Sequence, residues 1–223
     1  MKRNIIITAD GSKTIQIEDW NEQYHSKHGA IQEGYHVFIK HGLNFYGEAY
    51  PQTTSISILE IGFGTGLNAF ITLLETEKKN MAVNYVGIEA YPVSMDEAKQ
   101  LNYARQLQKD GGLFKKLHTL PWETKHDVSP LFSLTKQNKF FGEITETDSF
   151  NLIYFDAFGA RVQPELWTED IFKIMHKALK NQGVLVTYSA KGSVRRAMQN
   201  VGFMVEKLPG PPGKREMLRA VKL

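Results

Sequence analysis

Residues 56–74 read ISILEIGFGTGLNAFITLL, and their order decides the fold. Ile56, Ile58, Leu59 and Ile61 are β-branched or alternating apolar residues, the pattern of a buried strand. Gly62, Gly64 and Gly66 follow at every second place. Leu67, Phe70, Ile71 and Leu74 then recur at helical spacing. Strand, glycine loop and helix in this order present backbone N–H groups to a nucleotide at the edge of an α/β sheet. The spacing is G-x-G-x-G. It is neither the G-x-G-x-x-G fingerprint nor a P-loop, because no Lys-Ser/Thr pair closes it.

Glu60 stands just before this loop. A carboxylate there repels a pyrophosphate and suits a cation. S-adenosyl-L-methionine (AdoMet) carries a sulfonium and an ammonium, so the charge logic points to AdoMet and to methyl transfer. A second strand, NYVGIEA at 84–90, ends in Glu89, about 20 residues past Gly66, where an acid accepts hydrogen bonds from both ribose hydroxyls. Glu60, Gly62, Phe63, Gly64, Thr65, Gly66, Asn68, Glu89 and Ala90 are the expected cofactor contacts. Glu143, after a strand ending in Phe140-Phe141, is expected near the adenine.

The other elements alternate around this unit. Residues 4–18 read as a β-hairpin turning at Asp10-Gly11. The aromatic and histidine-rich segment 18–43 reads as a helical cap over one edge of the sheet, or as a lid that covers the cofactor or receives a base by stacking. Its His25-x-x-His28 pair lacks a third ligand at matching spacing, so no metal is expected. Pro92 is expected to open a helix with Met95, Ala98, Leu101 and Ala104 on one face. GGLFKKLHTLPW and PLFSLTKQNKFFGEI, within 111–145, each suggest a strand. FNLIYFD at 150–156 is a central strand ending in Asp156, at the strand tip where such sheets bind ligands. Pro164 starts a helix that Gly183 stops. GVLVTYS at 183–189 is the next strand. A helix from Gly192, strand 203–208, the stiff turn PGPPGK and strand 216–221 complete the chain. The expected fold is α/β, a doubly wound, mostly parallel seven-stranded sheet with an antiparallel last strand. One domain is expected over 1–223, with hairpin and cap in 1–50 and the Rossmann-like core in 51–223.

A hydrophobic content of 42% and a charged content of 23% are ordinary for a globular protein, and no apolar run is long enough to span a membrane. The chain has no cysteine, which removes disulfides, thiolate metal sites and a Cys nucleophile and fits a cytoplasmic location. Net charge is +3, but eight lysines and arginines against two acids lie from Thr187 onward, leaving residues 1–186 net acidic. A basic tail suggests a polyanionic partner.

ILEIGFGTGLNAF, YVGIEAYP, LIYFDAF…PELWTEDIF, GVLVTYSAKGSVRRAMQNVGF and KLPGPPGKREMLRA occur in this order, with TADGSKT and YHSKHGAIQE before them. Together they closely resemble the methyltransferase half of the bifunctional tRNA-modification enzyme MnmC and its stand-alone MnmD form. The resemblance implies a class I AdoMet-dependent fold. It implies methylation of the amine of 5-aminomethyl-(2-thio)uridine at the tRNA wobble position. The family's FAD-dependent oxidase is not expected, since no second glycine-rich nucleotide motif follows. After Asp156-Ala157-Phe158 the family commonly has Ala-Pro-x-(Lys or Glu)-(Asn or Gln)-Pro. Here residues 159–164 read GARVQP, so the basic contact is expected to move to Arg161.

Transfer to an amine is an in-line displacement in which positioning supplies most of the catalysis. Asp156 is the expected catalytic group, orienting the amine and taking its proton, and also a cofactor contact. Phe158 and Tyr188 are expected to wall the site or stack on the uridine. Lys191, Arg195, Arg196, Lys214 and Arg215 are expected to ring the crevice and meet tRNA phosphates. Competing readings are a class I methyltransferase acting on a small molecule or protein, a non-catalytic AdoMet- or RNA-binding subunit, and a nicotinamide oxidoreductase. The glycine spacing and Glu60 count against the last.

Overall fold

The computed structural model describes residues 2–223. Strands β1 (Arg3–Ile7), β2 (Lys13–Ile17) and β3 (Glu22–Gln23) form a small antiparallel sheet. Helix α1 (Ala30–Gly34) runs without a break through a π-helical segment, Tyr35–Asn44, into α2 (Phe45–Ala49). Gly34 inside this long helix is a contact point, since a Cβ there would come within 2.9 Å of Ile71. The helix packs against the sheet and the helix after the glycine loop rather than capping a sheet edge. Val37, Phe38, Ile39 and Leu43 supply its buried side.

The large sheet comprises β4 (Ser55–Ile61), β5 (Ala82–Ile88), β6 (Lys125–Ser129), β7 (Phe132–Gln137), β8 (Phe150–Phe155), β9 (Leu179–Thr187), β10 (Phe203–Pro209) and β11 (Glu216–Lys222). Its order is β10-β11-β9-β8-β4-β5-β7-β6. The expected parallel core holds in β7, β5, β4, β8 and β9, and β11 enters antiparallel between β9 and β10. Among the described residues this sheet has eight strands rather than seven, because β6 adds an antiparallel edge to β7. Helix α3 (Leu67–Lys79) follows the glycine loop as expected. Two apolar clusters form the core, the larger built on Phe70, Tyr85, Phe132 and Tyr154, the other on Phe155, Trp167 and Phe172.

Several boundaries differ from expectation. Helix α4 (Met95–Ala98) is opened by Ser94, whose hydroxyl accepts from Glu97 N while the Glu97 carboxylate accepts from Ser94 N, so Pro92 lies ahead of the cap. The helix is interrupted between α4 and α5 (Tyr103–Gln106). GGLFKKLHT is helix α6 (Gly111–Thr119), not a strand, capped by Asp110 and buried through Phe114 and Leu117. After a 3₁₀ turn at Pro164–Trp167, α7 (Glu169–Ala178) ends before Gly183, and Leu179 already pairs with Phe150. The residues between form a bulge, with Gln182 at φ +62°. Helix α8 (Gly192–Asn200) matches its sequence pattern.

Candidate active site

A cleft of about 720 Å³ opens at the C-terminal ends of β4, β5 and β8, under the small antiparallel sheet. Such a volume lies within the range of small-molecule sites. Gly62, Phe63, Gly64, Thr65, Asn68, Glu89, Ala90, Asp156, Phe158, Tyr188 and Lys214 all line it, so most of the expected residues converge.

The glycine loop is held from both sides. Gly62 N and Phe63 N donate to Ile88 O at 3.0 and 2.9 Å, and Asp156 N donates to Ile61 O at 3.0 Å. Gly62 sits at φ +87°, and a Cβ there would lie 2.9 Å from Asp156 O. The glycine is therefore required both by conformation and by the approach of the Asp156 backbone. The Glu89 carboxylate accepts from Gly64 N at 3.0 Å and Tyr91 N at 2.9 Å. It joins the loop to the tip of β5, and burial raises its pKa.

Asp156 follows β8 and is the acidic centre of the cleft. Burial, followed by the nearby Glu33 carboxylate, raises its pKa to about 7. The Asn68 amide donates to Asp156 at 2.8 Å and to Glu60 at 3.0 Å, which spends both amide hydrogens. Glu60 is fully buried beneath Asn68 and does not line the cleft. Desolvation, then the Asp156 charge, pushes its pKa well above the usual carboxylate range. Tyr85 lies close enough to favour the Glu60 carboxylate, yet its hydroxyl and Glu60 Oε2 both lack a partner in hydrogen-bond geometry. Glu60 thus supports Asn68 from beneath the cleft floor, rather than lining the cleft as the direct cation contact that charge logic suggested.

Other expected residues stand elsewhere. The Glu143 carboxylate is exposed and accepts from Phe140 N at 2.6 Å, turned back into its own turn, while Phe140 and Phe141 face the cleft. Gly66 starts α3 behind the cleft wall. The β9–β11 register does bring the turn before β11 to the Asp156 end of the sheet. Of the five basic residues, however, only Lys214 enters the cleft. Lys191, Arg196 and Arg215 are exposed outside it, and Arg195 is half-buried. Arg161 pairs with Glu22 at 3.0 Å and so ties the loop after β8 to the small sheet.

Sequence reasoning offered segment 18–43 as a cap or lid but named none of its residues, nor any of the hairpin's, as part of the site. Trp20 and Tyr24 meet Phe158 edge-on, with ring centroids 5.7 and 4.9 Å away. Arg3 donates to Tyr91 O at 2.9 Å, which straps the hairpin to the loop after β5. His25 bonds Thr14 at 3.0 Å and is buried, which lowers its pKa to about 4. Among the described residues no group of three His, Cys, Asp or Glu side chains is placed to hold a metal ion, and no helix is long and apolar enough to cross a membrane.

Residues 134–223 match a family described as S-adenosyl-L-methionine-dependent methyltransferase. The chain is 26% identical over 211 residues to the tRNA 5-methylaminomethyl-2-thiouridine biosynthesis bifunctional protein MnmC of Hydrogenovibrio crunogenus, covering 89% of this chain and 31% of that protein. It is 29% identical over 214 residues to the protein of the same name from a Marinomonas strain, again 89% and 31%. The chain thus spans about a third of the length of these relatives. The crystal structure of MNMC2 from Aquifex aeolicus superposes with a TM-score of 0.79 at 26% identity, covering 98% of this chain and 69% of that one. Spermidine synthase from Thermotoga maritima shares the fold, with a TM-score of 0.55 at 14% identity. Fold, family match and relatives agree: the chain has the class I methyltransferase fold and is similar to S-adenosyl-L-methionine-dependent methyltransferases, MnmC among them.

Proposed function

We propose that the protein transfers a methyl group from AdoMet to the amine of a 5-aminomethyl-(2-thio)uridine at the wobble position of tRNA. The observation that carries this reading is Asp156. It is an acid at the tip of the central parallel strand, bonded by Asn68, facing the glycine loop across one cleft, with a pKa near 7. The cleft suits a cationic cofactor. Asp156, Glu89 and Glu33 line it, and the buried Asn68 Oδ1 is an acceptor without a partner. Gly62, Phe63, Gly64, Thr65, Asn68, Glu89 and Ala90 would hold AdoMet, with Tyr91 and Phe140 as an exposed aromatic pair at its outer end. Bound AdoMet supplies an electrophilic methyl on a sulfonium.

The chain's own residues do the rest. Asp156 orients the acceptor amine and takes a proton from its ammonium form, or passes it to water, which frees the lone pair; as the C–N bond forms the methyl–sulfur bond would break and leave S-adenosylhomocysteine. Its raised pKa matters here, since a strongly acidic carboxylate would be a poorer base. Phe158, backed by Trp20 and Tyr24, offers an aromatic wall for the uracil ring. Lys191, Arg196 and Arg215, exposed at the same end of the sheet, are proposed phosphate contacts. Alanine at Arg215 is expected to weaken tRNA binding across sequences and to reduce the slope of log K against log salt by about one. Filter binding from low to moderate salt checks this, and an unchanged slope removes Arg215 from the interface.

The reading is tested by incubating the protein with methyl-labelled AdoMet and either tRNA from cells blocked at the aminomethyl step or a small-molecule extract. Label is expected in the tRNA. Label confined to small molecules would contradict it and favour a small-molecule methyltransferase.

A further inference from the structure

The ion pair of Lys214 with Glu33 over Tyr188 has no step in the mechanism above. Lys214, in the turn before β11, reaches the carboxylate of Glu33 on α1 and forms an ion pair with it. Its ammonium sits 3.7 Å from the centre of the Tyr188 ring. Tyr188 is fixed in turn, its hydroxyl donating to Ala157 O at 2.8 Å beside Asp156. Glu33, Tyr188, Lys214 and Asp156 all line the same cleft. Both Glu33 and Lys214 act on the Asp156 carboxyl, Glu33 raising its pKa and Lys214 lowering it. A carboxylate on one side and an aromatic face on the other make a box for an ammonium.

We propose that Glu33 and Tyr188 form the binding box for the acceptor's ammonium, and that Lys214 fills this box until the substrate amine displaces it. The inference rests on the amine-methylation reading and names the residues that select the amine. Burial argues for the direction of exchange. The Glu33 side chain is 7% exposed and also accepts from Ser26 N at 2.8 Å, so it is fixed. The Lys214 side chain is 30% exposed on a turn whose Pro212, Gly213 and Arg215 face solvent, so it can leave. Its stem is flexible and its ammonium is readily hydrated. The turn itself is anchored by His36, whose Nε2 lies 2.8 Å from Pro209 O, so the lysine can swing without undocking the strand. Charge makes coexistence costly: an incoming ammonium beside Lys214 would put two cations against the single Glu33 carboxylate. The Tyr188 face also suits the methylated product, because a ring attracts a methylammonium as it does a primary one.

Lysine as placeholder predicts a result that lysine as phosphate contact does not. Binding of the 5-aminomethyluridine nucleoside and of its 5-hydroxymethyl analogue is measured by calorimetry, with S-adenosylhomocysteine present. The nucleosides carry no phosphate. Wild type is expected to prefer the amine. Lys214→Met is expected to bind it several-fold more tightly, because the competitor is gone. Glu33→Gln, which keeps an acceptor for Ser26 N, is expected to lose roughly tenfold or more of the preference for amine over hydroxyl. The inference is overturned if wild type shows no preference, if Lys214→Met binds the amine no more tightly, or if Glu33→Gln keeps the preference. If the amine preference behaves as stated but labelled AdoMet never marks tRNA, the box stands and the tRNA reading fails alone.

Discussion

Replacing Asp156 with Asn is expected to slow methyl transfer by about a hundred- to ten-thousandfold while leaving the protein folded. Asparagine has nearly the same shape and still offers an oxygen to the Asn68 amide, so that 2.8 Å bond can persist. What is lost is the charge that faces the amine and the site that receives its proton. Stability should move the other way. In the unfolded chain this carboxyl titrates near 3.8, whereas in the ligand-free folded protein burial raises it to about 7. Between those values the folded state holds a proton that the unfolded state has released. Stability due to this group therefore falls as pH rises from about 4 to 7, and the full cost is present above 7. Asp156→Asn should thus be at least as stable as wild type at pH 8, with the difference shrinking towards pH 4. Denaturant melts at the two pH values check the sign. Ionisation should also aid a cation, so AdoMet affinity of the wild type is expected to rise as pH passes through about 7 and to lose that dependence in the variant. Loss of stability in Asp156→Asn at pH 8 would mean that the carboxyl is structural.

The second large effect is expected at Gly62. Alanine there would carry a side chain at φ +87° with its Cβ 2.9 Å from the Asp156 carbonyl oxygen. The left-handed backbone alone costs about 1–3 kcal/mol. The obstructing atom is backbone, so it cannot rotate away. Relief requires β4 and β8 to separate at their tips, where Asp156 N bonds Ile61 O. The variant should melt several degrees lower and bind AdoMet at least about tenfold more weakly, because loop and acid are displaced together. Gly47 is the matched control, since no atom lies within 4 Å of a Cβ placed there. Alanine at Gly47 should leave AdoMet binding unchanged. Equal losses at both positions would show that Gly62 has no special part in the site.

The strand–loop–helix unit and the acid at the end of β8 were legible because both are local patterns, a strand period followed by glycines or by one aspartate. Helix α6 was not. Its Gly111-Gly112 start lowers helix propensity, and only the Asp110 cap and the spacing of Phe114 and Leu117 mark it. The end of α7 was misplaced for the converse reason. Gly183 looks like a helix stop, yet Leu179 is already paired in the sheet and the glycine serves a bulge. Glu60 was expected to meet the cofactor directly, but sequence does not reveal that Asn68 lies between it and the cleft. The pairing of Lys214 with Glu33 joins residues from opposite ends of the chain. No periodicity carries such a contact, so the basic run read as a phosphate surface when one of its members faces inward.

The most direct test of the methyl-transfer centre is nucleoside mass analysis of aminomethyl-blocked tRNA after reaction with AdoMet and either wild type or Asp156→Asn. One added methyl is expected on the wobble nucleoside's aminomethyl group with wild type, and almost none with the variant in the same time. Methylation of another nucleoside, or equal methylation by both proteins, would contradict it.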